Sequence, residues 1–386
     1  MKHIPDHVFR GYDLRGLVGS ELNEETVALL GKGYATWLLE RRIYDCVIGY
    51  DCRFTGPSFR DVMVRELTNA GITVFDIGMT LSQIAYFAGY FFRTRGMVMI
   101  TASHNPKEYN GFKFGTGYSE TMLTDEVIAL RDLVKSGKFK ARTPKGKYIK
   151  QDIKKDYIDD LMRRVDTIGK FKVVVDSCAA TTGIFLPDIL RRAGCKVIEQ
   201  NTTPDGNFPV GTPDPTERDV QERLAKRVIA EKADLGFTYD CDGDRIGVVD
   251  AEGNLIWNDT LVSLFAKDVL EFLPGAKIVY NTLCSKQVDD VVRAAGGIPI
   301  MWLTGHSFIK AKVREEHAPF GGELSGHIYF VDNFYGHDDG AIASLRLLAY
   351  LTRINKSLKE AISELPKYIS SPEIKVGCPD DLKFDL

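Results

Sequence analysis

The sequence predicts an α/β protein built from three similar tandem α/β domains, with mixed, mostly parallel sheets and helices on both faces. One unit occurs three times: "VIGYDCRFTGPSFRDVMVRELTNAGITVFDIG" from Val47, "VVVDSCAATTGIFLPDILRRAGCKVIEQN" from Val173 and "IVYNTLCSKQVDDVVRAAGGIPIMWLTG" from Ile278. Each reads as a β-rich run, a polar loop, an amphipathic segment and a second β-rich run. That order is a β-α-β unit and implies parallel strands. The corners Ala70-Gly71, Ala193-Gly194 and Ala295-Gly296 put glycine where a helix ends on a left-handed residue. They recur at roughly 100–120 residues, an ordinary domain size.

The elements follow in order. A helix is expected over 24–41, capped by Asn23, with Val27, Leu30, Tyr34, Trp37 and Leu38 on its core face. The Lys-rich stretch 137–155 reads as a solvated hinge, since its aromatics are too few for a single-strand nucleic-acid binder. Further boundaries fall near Gly253 and Pro366. The expected domains are therefore 1–150, 151–253 and 254–367, with 368–386 as the stub of a fourth. Residues 204–215, "PDGNFPVGTPDP", read as a rigid connector without chemistry.

Composition narrows the function. The net charge of −3 gives no general attraction to nucleic acid or anionic membrane. No apolar run approaches the roughly 18 residues that span a bilayer. The N-terminal residues lack the apolar centre of a signal peptide. Seven scattered cysteines without a CxxC pair suit reduced thiols, so a cytoplasmic location is expected.

Two loops carry candidate chemistry. "GFTYDCDGDRIGVVD" holds Asp240, Asp242 and Asp244, followed by Arg245. In extended backbone, residues two apart share a side, and three converging carboxylates call for a cation. Oxygen ligands suit Mg²⁺. An EF-hand is excluded, because positions 6 and 12 are Arg245 and Ala251. An aspartyl nucleophile and an acidic hairpin turn are the alternatives. The second loop, "TASHNP", follows the β-rich run 96–100. Loops after parallel strands are where α/β proteins place ligand-contacting groups. Ser103 there is either a nucleophile or phosphoryl carrier, with His104 and Asn105 orienting it, or simply a cap in a turn. Lys107 and Lys113 lie within reach of an anion. A Ser-His-Asp hydrolase is disfavoured: no GxSxG elbow occurs, and an adjacent His does not easily reach the hydroxyl beside it. Other polar clusters are "FRGYDLRG" with Tyr12 and Arg15, "LTGHSFIK" with His306 and Lys310, and "GGELSGHIYF" with Glu323, Ser325 and His327.

Together these motifs resemble the α-D-phosphohexomutase family, in its phosphomannomutase/phosphoglucomutase branch, across essentially the whole chain. "TASHNP" is similar to the family's phosphoserine loop, "DCDGDR" to its metal loop and "GELSGH" to its sugar-specificity loop. The resemblance implies Ser103 as phosphoryl carrier and metal contact, and Mg²⁺ on Asp240, Asp242 and Asp244. Arg15, Lys113, His104, Arg245 and His327 would serve the transfer. Tyr12, His306, Glu323, Ser325 and His327 would bind the sugar phosphate. The implied reaction interconverts hexose 1-phosphate and hexose 6-phosphate of mannose or glucose. It passes through a hexose 1,6-bisphosphate, which is also the implied activator. The implied protein is a monomer or weak dimer with small-molecule partners, and neither nucleic acid nor membrane. Two departures stand out. The family's fourth domain, with its Arg-x-Ser-x-Thr-type phosphate loop, has no counterpart, which predicts a chain that loads phosphate but turns over poorly. Leu283 stands where the bifunctional branch has a Lys. The alternatives are a phosphoglucosamine mutase, a sugar-phosphate binder or a phosphatase.

Overall fold

The computed structural model describes residues 4–368. The expected stub, apart from its first residue Tyr368, lies outside the described residues, and Cys378 with it. The first unit contains β1 (Leu14–Leu17), α1 (Glu24–Glu40), β2 (Asp45–Tyr50), α2 (Gly56–Asn69), β3 (Thr73–Met79) and α3 (Ser82–Phe92). It continues with β4 (Gly96–Ile100), β5 (Tyr109–Gly117), β6 (Glu120–Thr121), α4 (Thr124–Ser136) and β7 (Tyr148–Lys150). Its sheet runs β1-β5-β4-β2-β3-β7, with β6 on β5. The second unit has α5 (Lys154–Arg164), β8 (Lys172–Asp176), α6 (Leu186–Arg192), β9 (Lys196–Gln200), α7 (Arg218–Glu231), β10 (Leu235–Tyr239), β11 (Ile246–Asp250) and β12 (Leu255–Ile256). Its strand order is β12-β11-β10-β8-β9. The third has α8 (Asn258–Phe272), β13 (Lys277–Asn281), α9 (Lys286–Ala294), β14 (Ile298–Trp302), α10 (His306–Glu315), β15 (Phe320–Gly322), β16 (Ile328–Phe330), α11 (Gly340–Ile354) and α12 (Leu358–Ser363), ordered β14-β13-β15-β16.

Each sheet has a parallel part extended by antiparallel strands. The repeated units pair in parallel, β2 with β3, β8 with β9 and β13 with β14. Gly71, Gly194 and Gly296 sit at φ 90°, 96° and 78°, the left-handed conformation that lets each helix turn back into its strand. On α1, Asn23 accepts from the amides of Glu25 and Thr26 in a capping box. The five expected core residues of α1 are buried with α2 and α4 against one face of the first sheet. Burial of each large apolar side chain contributes about 1.5–3 kcal/mol. The other face carries α3, which joins a core continuous through the second and third units. The three units are thus packed on one another, and the loops between them are held in register.

Two expectations about connectors change. Residues 137–155 include β7, which pairs in parallel with β3. Arg142 and Gly146 donate their amides to the Ala70 and Thr68 carbonyls, so this stretch is docked on the sheet edge and is no free hinge. A Cβ at Gly146 would lie 1.8 Å from the Ile72 carbonyl oxygen. Gly146→Ala is therefore expected to destabilise by about 1–3 kcal/mol, read as a lower thermal midpoint; an unchanged midpoint would contradict this packing. Gly253 turns inside a hairpin, and β12 pairs with β11 beyond it, so the second sheet runs to Ile256. Among the described residues no helix is long and apolar enough to cross a membrane. The six described cysteines are free and buried.

Candidate active site

The site gathers at the carboxyl ends of parallel strands, where backbone leaves the sheet and loops are free to shape a cleft. Ser103 follows β4 in the turn to antiparallel β5. Its φ of 49° is left-handed, and its amide donates to Thr101 Oγ1 at 2.8 Å. Its hydroxyl donates to Asp240 Oδ2 at 2.7 Å. His104 Nδ1 lies 3.1 Å from the same Oγ. The expectation that an adjacent His does not reach the serine is thereby corrected: the left-handed residue folds the two side chains toward each other. Burial, with Arg245 and Arg15 close by, pushes the His104 imidazole well below its ordinary range.

Asp240, Asp242 and Asp244 lie in the turn between β10 and β11, all fully buried. Their convergence does not come from extended alternation, as the spacing suggested. The hairpin closes at Tyr239–Ile246, Gly243 reverses the chain at φ 76°, and the intervening turn folds inward. Ligand oxygens of the three lie within 4.8 Å of one another. Lys113, on β5, donates to Asp242 Oδ2 at 2.7 Å, Asp244 Oδ2 at 2.5 Å and Ser82 Oγ at 3.1 Å. Burial opposes its charge, but Asp242 and Asp244 hold its ammonium well above the ordinary range. Burial would also raise the Asp242 carboxyl; Lys113 reverses this and holds it low. Asp240 has no such ammonium, and burial plus its two neighbouring carboxylates push it up.

The arrangement fits a cation. Asp242 Oδ1 and Asp244 Oδ1 are buried without a hydrogen-bond partner. Bare anionic oxygens in low dielectric are costly unless a positive charge takes them.

Arg15 is held by Asp13 at 2.8 Å and donates to Asn105 Oδ1 at 2.5 Å. Arg245 Nε donates to His327 Nε2 at 3.0 Å and lies 3.9 Å from Asp240. His327 Nδ1 lies 2.9 Å from Asp338 Oδ2. The His306 ring is 5.6 Å from that of His327 and packs edge-on against Tyr12. Both Glu323 oxygens already accept bonds, from the Gly305 amide at 2.9 Å and the Tyr329 hydroxyl at 2.6 Å. Glu323, fully buried, therefore braces the 305–306 turn. Ser325 is half-buried beside it. Lys107 is exposed and outside this network.

Sequence reasoning missed several members. Asp51 and Arg53 follow β2 and anchor the serine loop. At the start of α3, Ser82 donates its hydroxyl to Asp242 at 2.5 Å and Gln83 donates to the Gly243 carbonyl at 2.9 Å. The strand-end rule that singled out "TASHNP" applies equally to "DCR" after β2. Within the 204–215 connector, Thr212 and Asp214 line a cleft of about 470 Å³ together with His104, Asn105, Pro106, Glu217 and Asp219. A buried hydroxyl, three carboxylates with room for a cation, and fixed Arg and Lys charges are the equipment of a phosphoryl-transfer enzyme.

Comparison with known proteins agrees with that class. Family models described as phosphoglucomutase/phosphomannomutase alpha/beta/alpha domains I, II and III match residues 6–141, 155–253 and 257–368. A phosphomannomutase/phosphoglucomutase of Pseudomonas aeruginosa PAO1 is 36% identical over 383 residues, covering 99% of this chain and 82% of its relative. A phosphoglucomutase of Neisseria gonorrhoeae is 34% identical over 380 residues, 98% and 82% respectively. A solved phosphoglucomutase/phosphomannomutase family protein of Burkholderia thailandensis superposes with TM-score 0.91 at 33% identity, covering 96% of this chain and 81% of that one. The chain belongs to the phosphoglucomutase/phosphomannomutase family.

Proposed function

We propose that this phosphohexomutase interconverts hexose 1-phosphates and hexose 6-phosphates, with mannose and glucose as its sugars, and that Ser103 carries the phosphoryl group. The observation that carries this reading is the Ser103 hydroxyl, buried and already donating to Asp240 beside two further carboxylates and Lys113. The phosphoryl group passes from Ser103 Oγ to the free hydroxyl of the sugar phosphate. The resulting 1,6-bisphosphate turns in the cleft and returns its other phosphoryl group to Ser103. Catalysis of this kind is positioning and charge neutralisation. Arg15, Arg245 and Lys113 supply fixed positive charge for the group in transit. Lys113 is held as an ammonium by Asp242 and Asp244 and has no lone pair to offer; His327 is assigned to take the hydroxyl proton, a role that requires its Nε2 to release the Arg245 Nε–H it accepts here. Asp240, Asp242 and Asp244 would hold Mg²⁺, which when bound would neutralise phosphate charge. Tyr12, His306, Glu323, Ser325 and His327 are assigned to the sugar.

Intact mass and peptide mapping after incubation with glucose 1,6-bisphosphate and Mg²⁺ test the reading. One phosphoryl group on Ser103 is expected, and its absence overturns the assignment. Rates on mannose, glucose and glucosamine 1-phosphates separate the sugars; a glucosamine preference would shift the reading to a phosphoglucosamine mutase. Chelation with EDTA is expected to lower turnover by at least about 10²-fold, with Mg²⁺ restoring it. Full activity in EDTA would remove the metal from the mechanism.

A further inference from the structure

Arg53 does not touch the reacting hydroxyl, yet its guanidinium is wholly spent on the loop that presents it. The side chain is buried. Nε donates to Asp51 Oδ2 at 3.1 Å. Nη1 donates to the carbonyls of Pro106 at 2.8 Å and Tyr109 at 3.0 Å. Nη2 donates to those of Ser103 at 2.8 Å and Asn105 at 2.6 Å. An arginine has five N–H donors in a planar fork, and here each has an acceptor. Four of the acceptors are backbone carbonyls of one turn. The Phe208 ring, 5.0 Å from the guanidinium carbon, packs against it.

Asp51 extends the same device. Its Oδ1 accepts the Arg53 amide at 3.0 Å, and its Oδ2 accepts the Thr101 hydroxyl at 2.7 Å. Thr101 Oγ1 in turn accepts the Ser103 amide. The chain from β4 to β5 reverses in a turn whose tip is exposed, while the carbonyls of Ser103, Asn105, Pro106 and Tyr109 meet the buried Arg53. One buried cation collects them. The amide of Ser103 is tied from one side through Thr101 and its carbonyl from the other through Arg53. That leaves Ser103 in the left-handed backbone that points Oγ at Asp240.

We infer that Arg53, braced by Asp51, is the positioning residue that sets the Ser103 loop for phosphoryl transfer. The inference rests on the assignment of Ser103 as carrier. Lysine would keep the charge but has three donors and no planar fork, so it cannot span four carbonyls and Asp51 together. Displacing a reacting group by about 1 Å costs on the order of 10²-fold in rate.

The test compares Arg53→Lys and Arg53→Ala with the native chain. Arg53→Lys is expected to lower kcat by about 10²-fold while KM for the hexose phosphate changes by less than about 3-fold, since only positioning is lost. Added guanidinium is expected to restore at least about 10-fold of the Arg53→Ala loss, and ethylammonium at the same concentration nothing. Hydrogen exchange of residues 99–113 is expected to speed up in Arg53→Lys, with the three sheets still protected. Native kcat in Arg53→Lys, or unchanged exchange over 99–113, overturns the inference. A native chain that never loads Ser103 overturns the carrier assignment instead, and the exchange result then still decides whether Arg53 holds the loop.

Discussion

Ser103→Ala is expected to abolish phosphate loading and to lower turnover by about 10⁴-fold or more. Under the carrier assignment the substitution removes the one atom that would receive the group, and losing a nucleophile costs on this scale or beyond. The fold should survive. Alanine meets the same left-handed backbone that Ser103 already occupies, so no new strain is introduced there. What is lost is the hydroxyl that donates to Asp240 Oδ2. A buried carboxylate oxygen without its donor costs about 1–3 kcal/mol, a modest loss for a three-unit core. A coupled mutase assay, intact mass after exposure to the bisphosphate, and a thermal melt measure the three effects separately. Turnover within tenfold of native would mean that another residue carries the phosphoryl group.

Lys113→Met should be the most damaging change at the carboxylates, and its effect should depend on divalent cations. In metal-free buffer it leaves Asp242 and Asp244 buried without the ammonium that bridges them. Breaking a buried pair from one side costs about 3–5 kcal/mol, because uncompensated charge stays behind. A cation taken up by the same carboxylates would replace part of the lost positive charge. The variant's unfolding midpoint should therefore rise with Mg²⁺ by clearly more than the native midpoint does. Turnover should stay low even with Mg²⁺, since a fixed charge in the transfer path is gone. A Lys113→Met midpoint indifferent to Mg²⁺ would argue against a cation site at this trio.

Several features of this protein were legible locally. The β-α-β repeat is a pattern of apolar periodicity closed by a glycine corner, and both are properties of short segments. Gly71, Gly194 and Gly296 end their helices as read, because only the local backbone decides that conformation. The same holds for Asn23 and the core face of α1. Chemically distinctive residues also stood out, since Ser103 with His104, and three aspartates in five residues, have no ordinary place in a core.

Geometry between segments was not legible. That the aspartates converge by a hairpin turn depends on β10 and β11 pairing, which alternation along one strand does not encode. Gly146 reads as a hinge residue until Ile72 is placed against it. Nothing in "DCRFTG" marks Arg53 until the turn after β4, some fifty residues on, brings four carbonyls to it. The sequence by itself determined the repeated α/β units and marked candidate residues for chemistry, because those follow from local propensity and residue type. Tertiary structure alone decided which charges meet, which hydroxyl each carboxylate receives and what holds the serine loop. Those are contacts between residues distant in the chain, and their energies arise only when packing excludes water from all partners at once.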